Sequence, residues 1–150
     1  MSILISNRQN KKAELPPKIE KAAQAVLNAL DCPDAELSIL LVDDPQIAVL
    51  NKGYLNRPGP TNVIAFPMRE GDFSDISPNL LGDVVVSVDT AEREAHAANI
   101  HPEERLLELL IHGILHLFGY DHESDEDEAA RMEAKTRELM KVVSGNSTKE

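Results

Sequence analysis

Nine large apolar side chains fall within the thirteen positions from Leu106 to Phe118, interrupted only by Glu108, His112, Gly113 and His116. They recur on nearly every side of a helical period, so the segment is predicted to be a helix enclosed by the fold rather than laid on its surface. Pro102 opens it where a missing N–H costs least, and Gly119 ends it by supplying a left-handed residue. Such a helix needs covering, and the rest of the chain offers it. Ile3 to Ser6, Glu36 to Val42, Val63 to Phe66 and Leu81 to Val88 read as strands. Pro16-Pro17 opens an amphipathic helix through Ile19, Val26, Leu27 and Leu30, and Asp43-Asp44-Pro45 opens another through Ile47 to Tyr54. Asp89 or Thr90 is expected to cap a helix to about Asn99, and a last helix is expected from about Asp125 to Val142. The predicted class is α+β: a single domain over residues 1–150, with a small sheet of about four strands and about five helices. Residues 144–150 are expected to be a frayed tail.

The charge is lopsided. Residues 1–75 carry eight basic and ten acidic side chains, whereas residues 76–150 carry seven and sixteen, and the whole chain is at −11. Displacing counterions from phosphates drives much of nucleic-acid affinity, so this balance speaks against a general polyanion binder. Only a local strip of Arg8, Lys11, Lys12, Lys18, Lys21, Lys52 and Arg57 could serve that purpose. There is no Trp and there are five Phe and Tyr residues, too few for a base-stacking platform. No window is apolar enough to span a membrane, no secretory leader is read at the N-terminus, and the single Cys32 cannot form an internal disulfide. A cytoplasmic location is therefore expected.

Two of the breaks in the apolar helix carry chemistry. His112 and His116 lie four residues apart and so project one turn apart from a common face. After Gly119 turns the chain, His122 arrives six residues beyond His116. A single imidazole in a core helix is usually a satisfied core residue, and two leave the matter open. Three at this spacing, with the glycine between, point to a metal on a buried helix. Three nitrogens plus one open position make the catalytic kind of zinc site rather than the closed structural kind. In H-E-x-x-H proteases the residue after the first His is the Glu that serves as general base; here it is Gly113. Peptide hydrolysis thereby loses its usual proton acceptor, and phosphodiester cleavage is one candidate in its place.

The run from His112 to His122, with Gly113, Leu115, Leu117, Gly119, Asp121 between, resembles the H-G-x-L-H-L-x-G-y-D-H signature of the YbeY-type rRNA maturation factors. Upstream, Tyr54, Pro60-Thr61-Asn62-Val63-Ile64-Ala65-Phe66-Pro67 and Leu81-Gly82-Asp83-Val84 are similar to further segments of that family, and Met132 matches a Met of its last helix. The resemblance implies an α+β fold, one zinc ion held by His112, His116 and His122, and metal-dependent endonucleolytic cleavage of single-stranded RNA. It also implies a role in 16S rRNA maturation and ribosome quality control, with ribosomal particles as partners. The chain departs from the family at Leu55, where an Arg is characteristic; Arg57, two residues on, is the candidate substitute for holding phosphate.

Other residues have plainer readings. Asp121 either orients a ligand imidazole or begins the acidic run that caps the last helix. Met132 reads as packing beneath the metal, Cys32 as a small buried hydrophobe, and His96 and His101 as surface residues. Asp83 and Thr61 are structural candidates, with substrate contact as the alternative. Two other functions remain open: a ribosome-associated assembly factor whose metal is mainly structural, and a metal hydrolase of another substrate.

Overall fold

In a computed structural model, which describes residues 3–9, 15–67, 80–120 and 126–148, a four-stranded sheet carries five helices. The strands are β1 (Ile3–Asn7), β2 (Glu36–Val42), β3 (Val63–Pro67) and β4 (Leu80–Ser87). The helices are α1 (Leu15–Ala29), α2 (Asp44–Leu55), α3 (Val88–Ala98), α4 (Pro102–Leu117) and α5 (Glu126–Thr148). The sheet order is β1-β2-β4-β3; β1, β2 and β4 run parallel, and β3 pairs antiparallel with β4 as an edge strand. The expected α+β class therefore holds.

Side chains alternate between the two faces of a strand, and the two cores follow that alternation. Leu37, Ile39 and Leu41 of β2 join Val84 and Val86 of β4 in the main core beneath α1, α4 and α5. Val42 and Val85 point the other way, where Ile47 and Leu50 of α2 cover them with Ile64 of β3. Asp83 lies on that second face by the same alternation, and burial raises its carboxyl above the ordinary value while a hydrogen bond from Ser38 partly offsets this. Thus α4 packs on β3 and β4, with α3 and α5 alongside it. Leu110, Ile111, Ile114 and Leu115 of α4 are fully buried, as their periodicity requires.

Two boundaries differ from the sequence expectation. The cap of α3 is Ser87 rather than Asp89 or Thr90: its hydroxyl accepts from the Thr90 N–H at 3.2 Å. The helix therefore starts at Val88, an apolar β-branched residue that reads as the end of a strand. Secondly, α5 continues to Thr148, beyond its expected end at about Val142. Extending an existing helix adds one hydrogen bond per residue fixed, which can outweigh the poor helix propensity of Ser144 and Gly145.

Candidate metal centre

The site begins with how α4 is held. His101 caps it, its Nδ1 accepting from the Glu103 N–H at 3.2 Å, and Pro102 follows. His101 is exposed, as expected, but its cap role is invisible in ligand-spacing terms. The buried leucines and isoleucines fix the rotation of α4 so that Glu108, His112 and His116 form one half-buried stripe.

Within that stripe His112 Nε2 and His116 Nε2 are 3.2 Å apart, with ring centroids 4.7 Å apart and planes at 70°. At that separation the pair either shares a proton or offers two lone pairs to one cation. Zinc–imidazole bonds are about 2.0–2.1 Å, so two nitrogens on one tetrahedral ion stand about 3.3 Å apart. The donor pair therefore fits such an ion. Among the described residues no group of three or more His, Cys, Asp or Glu gathers as a metal site. His122, the third expected ligand, lies outside the described residues, as do Asp121, Lys11 and Lys12. The turn that leads toward it is described: Gly119, at φ +99°, donates to His116 O at 3.0 Å, and Tyr120 donates to Leu115 O at 3.0 Å.

Gly113 has a packing reason as well as a chemical consequence. A Cβ there would stand 2.6 Å from Val84 Cγ1 and 3.2 Å from Val63 Cγ2. Val84 is fully buried and β-branched, so it cannot rotate away cheaply. The close approach of α4 to β4 and β3 thus leaves no room for the glutamate of an H-E-x-x-H protease. The absent base is a condition of the packing that brings β3 beside the imidazoles.

Two cavities flank His112. One lies between α4 and the edge strand, lined by Leu55, Arg57, Thr61, Asn62, His112 and His116 among others. The other runs between α4 and α5, past Asn62, Arg105, Glu108, His112, Met132 and Thr136. Met132 is buried in this wall, as expected of packing beneath the site. Leu55 and the exposed Arg57 both reach the first cavity. The loop that carries Arg57 is pinned: its N–H donates to Asn51 O at 3.2 Å, and Asn51 Nδ2 donates to Gly59 O at 2.9 Å. The Arg57 guanidinium makes no ion pair among the described residues. By contrast Lys18 of the proposed basic strip pairs with Glu103 at 3.0 Å.

Sequence reasoning passed over a chain of polar groups behind the cavities. Asn62 Nδ2 faces Glu94, whose Oε1 accepts from Arg105 Nε at 2.9 Å, and Arg105 Nη1 reaches Glu108 at 3.0 Å. Burial works against the Arg105 charge, but Glu108 and Glu94 outweigh it and hold the guanidinium above its ordinary value. The signal for part of this was present: Arg105, Glu108 and His112 follow helical spacing. The Asn62–Glu94 contact spans 32 positions and has no such signature.

Known proteins share this architecture. The family model described as Endoribonuclease YbeY matches residues 4–144. The Endoribonuclease YbeY of Syntrophotalea carbinolica is 51% identical over 138 residues, covering 91% of this chain and 92% of the relative. That of Geobacter sulfurreducens is 49% identical over 144 residues, covering 95% and 96%. The solution structure of TM1509 from Thermotoga maritima aligns with a TM-score of 0.71 at 28% identity, over 96% of this chain and 90% of that one.

Proposed function

The chain belongs to the endoribonuclease YbeY family, and on that premise we propose that it is a zinc-dependent endoribonuclease cutting single-stranded RNA. The observation that carries the metal part is the convergence of His112 Nε2 and His116 Nε2 to 3.2 Å at the cavity beside the edge strand, with His112 also lining the second cavity. In this reading His112, His116 and His122 hold the ion, which supplies Lewis acidity for hydrolysis of a phosphodiester. The protein's own residues do the rest. Arg57, which makes no ion pair among the described residues, lines the cavity and holds the phosphate, standing in for the arginine that Leu55 displaces. The narrow packing at Gly113 excludes a carboxylate beside the first imidazole, which sets the site apart from a peptidase.

The cellular role proposed is 16S rRNA maturation and ribosome quality control in the cytoplasm, with ribosomal particles as partners. No helix among the described residues is long and apolar enough to cross a membrane. A second reading, an assembly factor whose metal is mainly structural, is favoured by the −11 charge and by Leu55. Cleavage of a single-stranded RNA by the purified chain, with and without chelator and restored by zinc, separates the two. Loss of cleavage with the fold retained supports the nuclease. A holo form that cuts nothing, and unfolds when the metal is stripped, supports the assembly factor.

A further inference from the structure

The two cavities beside His112 share one polar side chain whose orientation its neighbour dictates. Asn62 Nδ2 lies 3.4 Å from Glu94 Oε1 and 3.3 Å from Oε2. A carboxylate offers only acceptors, so the amide must turn its NH2 toward Glu94 and its carbonyl oxygen elsewhere. Arg105 clamps the same carboxylate at 2.9 Å and is itself clamped by Glu108, so the Glu94 end of the contact is fixed from α4. The Asn62 backbone is fixed too, its carbonyl accepting from the Ser87 N–H at 3.0 Å. Asn62 Oδ1 accepts no hydrogen bond from any described residue, and Asn62 lines both cavities next to His112.

A preset acceptor beside the reacting phosphate selects a donor. In RNA the donor closest to a backbone phosphate is the 2′-hydroxyl of the adjoining ribose, which DNA lacks. The exocyclic amino groups of the bases lie farther out, across the sugar. Building on the endoribonuclease reading, we infer that Asn62 Oδ1 accepts the ribose 2′-hydroxyl and selects RNA over DNA, with Glu94 as the positioning residue that fixes the amide.

The test uses the full chain with zinc and two probes, a single-stranded RNA oligonucleotide and its 2′-deoxy counterpart, with affinity read by fluorescence anisotropy and cleavage read on gels. The wild type is expected to prefer the ribo probe by about tenfold, the worth of one hydrogen bond that the site otherwise leaves unmade. Asn62→Ala keeps the backbone carbonyl that β4 needs; it should bring the ribo affinity down to the deoxy level and leave the deoxy affinity alone. Glu94→Gln gives the amide a partner it can meet either way round, and should lower the ratio with Asn62 still present. An undiminished ratio in both variants overturns the inference, as does an Asn62→Ala loss equal for the two probes, which would mark a base or phosphate contact. If the wild type neither binds nor cuts the ribo probe, the endoribonuclease reading itself fails, independently of any preference between the two sugars.

Discussion

Two polar clusters of this molecule are built from similar side chains and end differently. At the starts of α2 and α3, Asp44 Oδ1 accepts from Ser87 Oγ at 2.7 Å and Thr90 Oγ1 at 2.6 Å, while Oδ2 accepts from Arg93 Nη1 at 2.5 Å. The Asp44 N–H donates to Asp89 Oδ2 at 3.0 Å, and the Ser87 hydroxyl also caps α3. The carboxylate of Asp44, the hydroxyls of Ser87 and Thr90 and the guanidinium of Arg93 are thus bonded to one another. Beside α4 the bonds among the described residues run from Glu108 through Arg105 and Glu94 to Asn62 and end there, leaving the Asn62 amide oxygen and the Arg57 guanidinium without a partner among those residues, next to the converging imidazoles of His112 and His116. A closed cluster can only hold elements together. An open one has capacity left for a ligand.

The most severe trial of that contrast is to remove one member of each cluster. His112→Ala should cost at least about a hundredfold in RNA cleavage, because loss of even supporting groups around a catalytic metal costs about 10–100-fold. Its denaturant midpoint should hardly move, since the side chain is half-buried in an otherwise apolar helix. Asp44→Ala should do the reverse. It leaves the buried Ser87 and Thr90 hydroxyls without their acceptor, at about 1–3 kcal/mol of stability. Cleavage by the folded fraction should stay within about twofold, well inside the spread that about one kcal/mol allows. An Asp44→Ala protein of wild-type stability, or one folded but inactive, would remove the distinction between the clusters.

Acid probes the same difference. Burial pushes the Asp44 carboxyl up, but hydrogen bonds from Thr90, Ser87 and Arg93 outweigh it and hold the group below its ordinary 3.8. A depressed carboxyl contributes stability that is present above the unfolded value and is lost as pH falls through the folded one. The stability gap between wild type and Asp44→Asn should therefore be widest near neutrality and close as pH falls below about 3.8. Asp83, raised by burial, works the other way: its share is present at low pH and fades as pH rises through its folded value. A gap that widens on acidification would contradict the assignment of Asp44.

The contrast also explains what could be read from the chain in advance. Strand β2 has the bounds its apolar run implies, and α4 begins at Pro102 and gives way to Gly119, because burial and helix-end chemistry are local properties of sequence. The pairing of His112 with His116 follows from spacing within that one helix. What escaped is non-local. Ser87 becomes a cap because its hydroxyl donates to Asp44, 43 positions away, while its oxygen accepts from the Thr90 N–H. Gly113 reads as a missing base, whereas its necessity lies in Val84 and Val63 of two other elements. Asn62 sits inside a segment resembling the family, but its fixed orientation comes from Glu94 on α3. Closed and open clusters look alike in sequence, since only the folded arrangement decides which polar atoms are already spent.

The smallest effect tests whether an unspent cation matters in a chain of charge −11. Lys18 and Arg57 are both accessible, but Lys18 is committed to Glu103 in a pair with side chains 57% and 40% exposed, worth about 0–1 kcal/mol. Arg57 is held by its backbone at the cavity lining, and its guanidinium makes no ion pair among the described residues. Arg57→Ala should leave stability within about 0.5 kcal/mol, as surface changes away from packing do. It should weaken single-stranded RNA binding several-fold and flatten the dependence of log affinity on log salt by about 0.7, the share of one phosphate contact on a single strand. Lys18→Ala should change neither. The salt slope is the deciding quantity, because lost packing would lower affinity without altering it. If Arg57→Ala keeps the wild-type slope, the guanidinium touches no phosphate, and the open cluster ends at the imidazoles and Asn62.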